Sequence, residues 1–342
     1  MKLMRTEDAV GQVLCHDITQ IIKGVTKDAV FRKGHIITEE DIPVLLSVGK
    51  DHIYIWENNE NMLHENDAAK ILYDMCANEH MTPSEIKEGK IELIAECDGL
   101  LKVDTERLNA VNALGEMMIA CRHGNFPVKK GDKIAGTRII PLVIEKEKME
   151  RAKKAAGEEP IFELIPFKKM KAAIVNTGNE VFYGRIKDTF TPVIIEKLKE
   201  YGAEVVGHVV SDDNHEHITA AIQKFLDEGV DMVLCTGGMS VDPDDRTPGG
   251  IRDTGAKIVT YGAPVLPGAM LLVAYLKRNE KTIPVLGLPG CVMYAKRTVF
   301  DLILPRVMAD DEIKAEEIAA LGEGGLCLNC PVCTFPNCGF GK

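Results

Sequence analysis

Lys171-Ala172-Ala173-Ile174-Val175-Asn176-Thr177-Gly178-Asn179-Glu180 decides how the second half of this chain is read. Lys171 to Asn176 is a short, mostly apolar run, which predicts a buried strand, and a glycine turn follows at once. Asp231 to Thr236 repeats the pattern, with Thr236-Gly237-Gly238-Met239-Ser240 behind it. Ile283 to Leu288 repeats it again and leads into Gly287-Leu288-Pro289-Gly290. Helices fit between these strands. Thr191 and Pro192 read as N-cap and N1 of a helix that runs to Tyr201 and stops at Gly202. Glu204 to Val210 is a further strand, His215 to Glu228 an amphipathic helix, Leu271 to Leu276 another strand, and Val292 to Met308 a closing helix. Strands alternating with helices of this length predict βαβ units. The expected fold over residues 168–310 is α/β: three layers, a mostly parallel sheet with helices on both faces.

Outward from that stretch, residues 1–145 read as a smaller α+β domain. His52-Ile53-Tyr54-Ile55-Trp56 is strand-like, and Phe31 to Ile37 reads as a strand broken by a turn. Thr38 caps a helix from Glu39 to Val48, residues 66–80 and 105–119 look helical, and Val128 to Gly136 reads as a turn between strands. Residues 146–167 form a charged helix or linker. Residues 311–342 form a cysteine-rich tail. There are no internal repeats.

The formal net charge of -11 argues against nucleic-acid binding, which shows a basic footprint. No apolar run reaches the ~20 residues of a membrane span. The first residues lack the apolar stretch of a signal peptide. A cytoplasmic protein without a membrane partner is expected.

Three glycine turns at carboxyl ends of strands in one sheet point to a ligand, because open α/β sheets bind there. Glycine permits positive φ and close backbone approach, and N–H groups in such turns hold phosphate. Thr177, Thr236 and Ser240 add hydroxyls. Asp242, Asp244 and Asp245 stand beside the second turn, where carboxylates repel phosphate unless a hard cation such as Mg²⁺ bridges both. Cys291, after the third turn and at the start of the closing helix, is expected to have a depressed pKa. Lys296 and Arg297 are candidate phosphate partners. His208, His215 and His217, near Asp212 and Asp213, read either as a metal site or as solvent-facing groups that cap a helix. Cys121-Arg122-His123 reads either as a source of positive charge for the crevice or as a polar loop.

Residues 326–342 read LCLNCPVCTFPNCGFGK. Cys327, Cys330, Cys333 and Cys338 give C-x₂-C-x₂-C-x₄-C, one residue away from the bacterial ferredoxin run. Four thiols this close suit zinc or an iron–sulfur cluster, and the spacing does not choose between them.

In this order the motifs resemble the molybdenum-cofactor biosynthesis domain shared by molybdopterin adenylyltransferases and molybdopterin molybdotransferases. The resemblance covers about residues 168–310. It implies a site for molybdopterin or adenylyl-molybdopterin, formed first by Thr177, Gly178 and Glu180. Gly237, Gly238 and Ser240 would line the phosphate end, and Thr236, Met239, Pro267, Gly268, Pro289, Gly290 and Cys291 would complete the ligand-binding set. Asp245 matches the family's functional aspartate and would be catalytic, holding Mg²⁺. Thr247-Pro248 looks more like the adenylyltransferases, and Ser240 with Pro267-Gly268 more like the molybdotransferases. The implied activity is a Mg-dependent transferase step, molybdate insertion or adenylyl transfer, in a homo-oligomer. Cys291-Val292 stand where the molybdotransferase pattern has Asn-Pro, Asp242 stands for a glycine, and the Asp-Gly-Tyr-Ala stretch of that enzyme's front portion is absent. Those departures fit an alternative: a non-catalytic carrier that delivers cofactor to a molybdoenzyme.

Overall fold

Lys171–Thr177 (β1) is buried from its second residue to its last, as an apolar run covered on both faces should be. The computed structural model describes residues 2–22, 26–55 and 60–342, so Trp56 lies outside the described residues. After β1 come helix Phe190–Lys199 (α1), strand Glu204–Ser211 (β2), helix His215–Asp227 (α2) and strand Met232–Thr236 (β3). Helix Thr247–Asp253 (α3) and strands Lys257–Tyr261 (β4), Leu272–Arg278 (β5) and Lys281–Leu288 (β6) follow. Helix Val299–Met308 (α4) closes the set. The six strands form one sheet in the order β2-β1-β3-β6-β5-β4. The first four are parallel, and β5 and β4 run antiparallel at one edge.

Alternation along the strands separates two cores. Ala172, Ile174, Met232, Leu234, Leu286 and Leu288 face one layer, with Ile194 and Leu198 of α1 and most of α4. Ala173, Val175, Val233, Cys235 and Val285 face the other, with Ile218, Ile222 and Phe225 of α2 and Ile251 of α3. Each valine, leucine, isoleucine, methionine or phenylalanine so buried contributes about 1.5–3 kcal/mol. The result is the three-layer, mostly parallel α/β architecture expected for this region.

Two helix starts and one strand of this region differ from expectation. The closing helix begins at Val299, not Val292, because Thr298 and Asp301 form a capping box there; Gly290–Met293 is an isolated 3₁₀ turn. Helix α1 begins at Phe190, and its cap is the Asp188 carboxylate, which accepts from Phe190 N at 2.9 Å and Thr191 N at 3.0 Å. The edge strand β4 was not anticipated.

The chain divides into two units. The first holds Met1–Glu96, Val103–Arg122 and Gly131–Glu163; the second holds Cys97–Lys102, His123–Lys130 and Leu164–Lys342. In the first, a four-stranded antiparallel sheet uses Met81–Pro83, Lys90–Ala95, Lys133–Ile139 and Met117–Cys121. Helix Glu65–Asp74 buries Ala68, Ala69 and Leu72. The helix expected over 105–119 ends at Asn112, and Met117–Cys121 turns into strand. Residues 146–156 are helical and bury Met149, Ala152 and Ala156, so one face packs into the first unit. Leu14, Ile18, Ile37, Leu45 and Ile53 make a small separate core. No helix among the described residues is long and apolar enough to cross a membrane.

Candidate functional site

The parallel register sets Asn176 beside Thr236 and Thr236 beside Leu288. The three glycine turns therefore leave the sheet at the same end, as a crevice at carboxyl ends of strands requires.

The second turn is held from behind. Gly237 has φ +85°, and a Cβ there would run into the Thr177 carbonyl oxygen; at Gly238 (φ +54°) it would meet Thr247 Oγ1. Thr247 Oγ1 donates to the Gly237 carbonyl at 2.8 Å and Thr247 N to the Gly238 carbonyl at 3.2 Å. The Tyr261 hydroxyl donates to the carbonyls of Met239 at 2.9 Å and Ser240 at 3.3 Å. Four consecutive carbonyls are thus spoken for, while no protein acceptor among the described residues takes the N–H groups of Gly238, Met239 or Ser240. A run of free N–H groups makes an anion-binding concavity. Below it, Thr177 Oγ1 stands 2.9 Å from Thr247 Oγ1. The Thr236 hydroxyl is fully buried with no protein partner among the described residues. An unpaired buried polar atom costs about 1–3 kcal/mol.

The first turn is clasped to the loop after β2. Asn179 N donates to Asp213 Oδ2 at 2.9 Å, and Asp213 N donates to Asn179 Oδ1 at 3.4 Å. Burial pushes the Asp213 carboxyl up, and the nearby charges of Glu180, Asp244 and Asp245 push it further; the Asn179 N–H opposes them. Acids from two other loops therefore act on Asp213 at the mouth of the crevice. Asp245 is partly buried and accepts from Asp242 N at 3.1 Å. Asp188 was not singled out from sequence. Burial raises its carboxyl, but hydrogen bonds from the Thr191 side chain and backbone, the Asn176 side chain and Phe190 N outweigh this and hold it low. Only a helix-capping aspartate ahead of Thr191 could have marked it.

The third turn meets the second through Gly287, where a Cβ would fall 2.5 Å from Met239 Cε. Cys291 corrects an expectation: burial pushes its thiol up rather than down, because it sits in the short 3₁₀ turn and not at the start of α4. Gly268, at φ +132°, leans on Val299 at the start of α4, and Pro267 faces the tail. Arg297 is taken by Asp301 at 2.8 Å and Glu200 at 3.3 Å, and Lys296 donates to the Pro331 carbonyl at 3.0 Å. Asn214 caps α2, while His217 pairs with Asp212 at 2.9 Å and His215 with Asp253 at 2.8 Å. Arg122 pairs with Asp132 within the first unit. The four tail cysteines are free thiols, and among the described residues no three His, Cys, Asp or Glu side chains gather as a ready metal site.

Residues 173–309 match the family described as a probable molybdopterin binding domain. This segment belongs to the molybdenum-cofactor biosynthesis domain family. Residues 3–57 match a domain of unknown function. The molybdopterin molybdenumtransferase of Synechococcus elongatus is 28% identical over 184 residues, which is 51% of this chain and 42% of that protein. A CinA-like protein of Mycobacterium avium is 36% identical over 77 residues, 22% of this chain and 18% of that one. The chain thus spans less than half the length of these relatives. The tungsten cofactor synthesizing protein MoaB from Pyrococcus furiosus is a similar solved structure, 22% identical, covering 41% of this chain and 93% of its own, with a TM-score of 0.36. The molybdenum-cofactor domain holds every candidate crevice residue from Thr177 to Cys291.

Proposed function

We propose that the crevice binds molybdopterin or adenylyl-molybdopterin and that Asp245, with Mg²⁺, serves a transferase step, molybdate insertion or adenylyl transfer. The observation that carries this reading is the second turn: its carbonyls are engaged and its N–H groups at Gly238, Met239 and Ser240 are left for an anion. The Thr236 hydroxyl lies buried beneath the same turn. The pterin would lie toward Pro289, Gly290 and Cys291, with Pro267 and Gly268 beyond.

Glu180, Asp244 and Asp245 add to the raised pKa of Asp213, a repulsion that a hard ion held by Asp245 would relieve. Mg²⁺ is ordinarily held by one or two carboxylates plus substrate phosphates, so spaced carboxylates suit it. When bound it would neutralise phosphate charge. The chain's own contribution is to orient the phosphate through turn N–H groups and to fix that turn rigidly through Thr247 and Tyr261. The ligand would come and go without a membrane partner, and the assembly would be a homo-oligomer in the cytoplasm.

A carrier reading is favoured by the absent Asp-Gly-Tyr-Ala stretch and by Cys291-Val292 in place of the Asn-Pro of the molybdotransferase pattern, with the Cys291 thiol half-buried and its pKa raised. Titration with molybdopterin and with its adenylated form, with and without Mg²⁺, separates the readings. Tight binding of the adenylated form, followed by AMP release on adding molybdate and loss of that release in Asp245→Ala, supports the enzyme. Binding without turnover supports the carrier that hands cofactor to a molybdoenzyme. Binding of neither pterin rejects both.

A further inference from the structure

The last sixteen residues do not trail from the second unit; they build a wall. Cys327 N donates to the Leu266 carbonyl at 2.8 Å, Lys296 Nζ donates to the Pro331 carbonyl at 3.0 Å, and Gly341 N donates to the Gly324 carbonyl at 2.9 Å. Phe335 packs between Phe126 and Phe340, at ring separations of 5.9 and 6.1 Å, and Arg297 lies over its face at 5.1 Å. Behind these anchors is a cavity of about 450 Å³, and all four tail cysteines line it.

That volume discriminates between the metal chemistries the spacing allows. One tetrahedral zinc draws four sulfurs to about 2.3 Å from a single point. Here all four cysteines line one cavity of small-molecule size, and among the described residues no three His, Cys, Asp or Glu side chains gather around a single ion. A tetranuclear cluster gives each thiolate its own iron, so its ligands stand apart around a filled volume. Such a cluster carries net negative charge with four thiolates. Lys296 lines the cavity without a carboxylate partner among the described residues, whereas Arg297 is already held by Asp301 and Glu200.

We propose that Cys327, Cys330, Cys333 and Cys338 hold a tetranuclear iron–sulfur cluster in this cavity. Two ferrous ions, two ferric ions and four sulfides assemble on four thiols, which release four protons; the bound cluster then carries charge −2 and no other electron donor or acceptor is needed. The proposal does not depend on the pterin reading, since it uses none of the crevice residues.

The test is anaerobic incubation of the purified full chain with ferrous and ferric iron and sulfide, followed by desalting. Expected are about four iron and four sulfide per chain, visible sulfur-to-iron absorption, and bleaching by dithionite with a new paramagnetic signal. Cys330→Ser and Cys338→Ser each lose most of the bound iron while keeping the far-ultraviolet circular dichroism of the parent; Cys121→Ser, in the first unit, keeps its iron. Lys296→Gln keeps the cluster but shifts its midpoint potential negative, because a reduced cluster loses a nearby cation. Binding of one zinc or cobalt per chain in a tetrahedral four-sulfur spectrum, undisplaced by iron and sulfide, overturns the proposal. Uptake of no metal at all also overturns it.

Discussion

The glycine-turn crevice and the cysteine cavity belong to the same unit and are made by opposite means. The crevice is hard: N–H groups, hydroxyls and carboxylates, with a glycine at 237 because the Thr177 backbone leaves no room for a Cβ. The cavity is soft: thiols and aromatic rings on a segment with almost no regular secondary structure, fastened by a few hydrogen bonds and by Arg297. The crevice takes its shape from the sheet, so its tolerance for substitution is low. The cavity takes its shape from the start of α4, so its weak point lies outside the tail itself.

That contrast is broken most directly at Asp301. Its carboxylate, 4% exposed, accepts from Lys197 Nζ at 2.6 Å and Arg297 Nη1 at 2.8 Å and caps α4 through Thr298 N at 2.7 Å. Removing one partner of a buried ion pair costs about 3–5 kcal/mol. Asp301→Ala should lower unfolding free energy by that order in urea titration and release Arg297 from Phe335. If stability holds and the tail stays protected in hydrogen exchange, the cavity does not depend on α4. Next in size is Gly237→Ala, which forces a Cβ against the Thr177 carbonyl at φ +85° and should cost about 3 kcal/mol. Gly339→Ala in the tail, where a Cβ meets nothing within 4 Å, should stay within about 0.5 kcal/mol. Equal effects at the two glycines would erase the distinction between the sites.

Asp188→Ala removes the cap of α1 and should cost about 1 kcal/mol at neutral pH. Its folded pKa is depressed, so its contribution is present above the unfolded value and is lost as pH falls through the folded one. The variant and the parent should therefore converge in stability at acid pH. A constant difference across pH would mean that hydrogen bonds to the charged carboxylate are not the cause.

How far these sites were readable follows from what each depends on. Strands β1, β3 and β6 were legible because both faces are buried, which leaves a continuous apolar run ending in glycine. The edge strand β4 has only intermediate burial at its centre, so nothing in Lys257–Tyr261 stood out. The start of α4 was misread because Cys291-Val292-Met293 is apolar, although Thr298-Val299-Phe300-Asp301 already spelled a capping signal. The Cys291 pKa was then wrong for the same reason, since no long helix begins there. The clasp between Asn179 and Asp213, 34 residues apart, depends on strand register and has no local signature. Likewise the cysteine spacing was plain, but the cavity that separates a cluster from a single ion arises only when Phe335 and Phe340 pack.

The smallest expected effect is the most diagnostic of the crevice. Asp213 has a raised carboxyl pKa, first from burial and then from Glu180, Asp244 and Asp245. For an acid with a raised folded pKa the penalty is fully present above that value and disappears below the unfolded value of about 3.9. Asp213→Asn keeps an oxygen to accept from Asn179 N and removes the charge. It should be more stable than the parent at pH 7 by a few tenths of a kcal/mol, small because the group is only partly buried. That advantage should shrink as pH falls toward 4, and millimolar Mg²⁺ should shrink it at pH 7 by favouring the charged parent. Urea titrations at pH 4, 5.5 and 7, each with and without Mg²⁺, read both changes. An advantage indifferent to pH and to Mg²⁺ would show that these carboxylates do not face a common cation, and the proposed role of Asp245 would go with it.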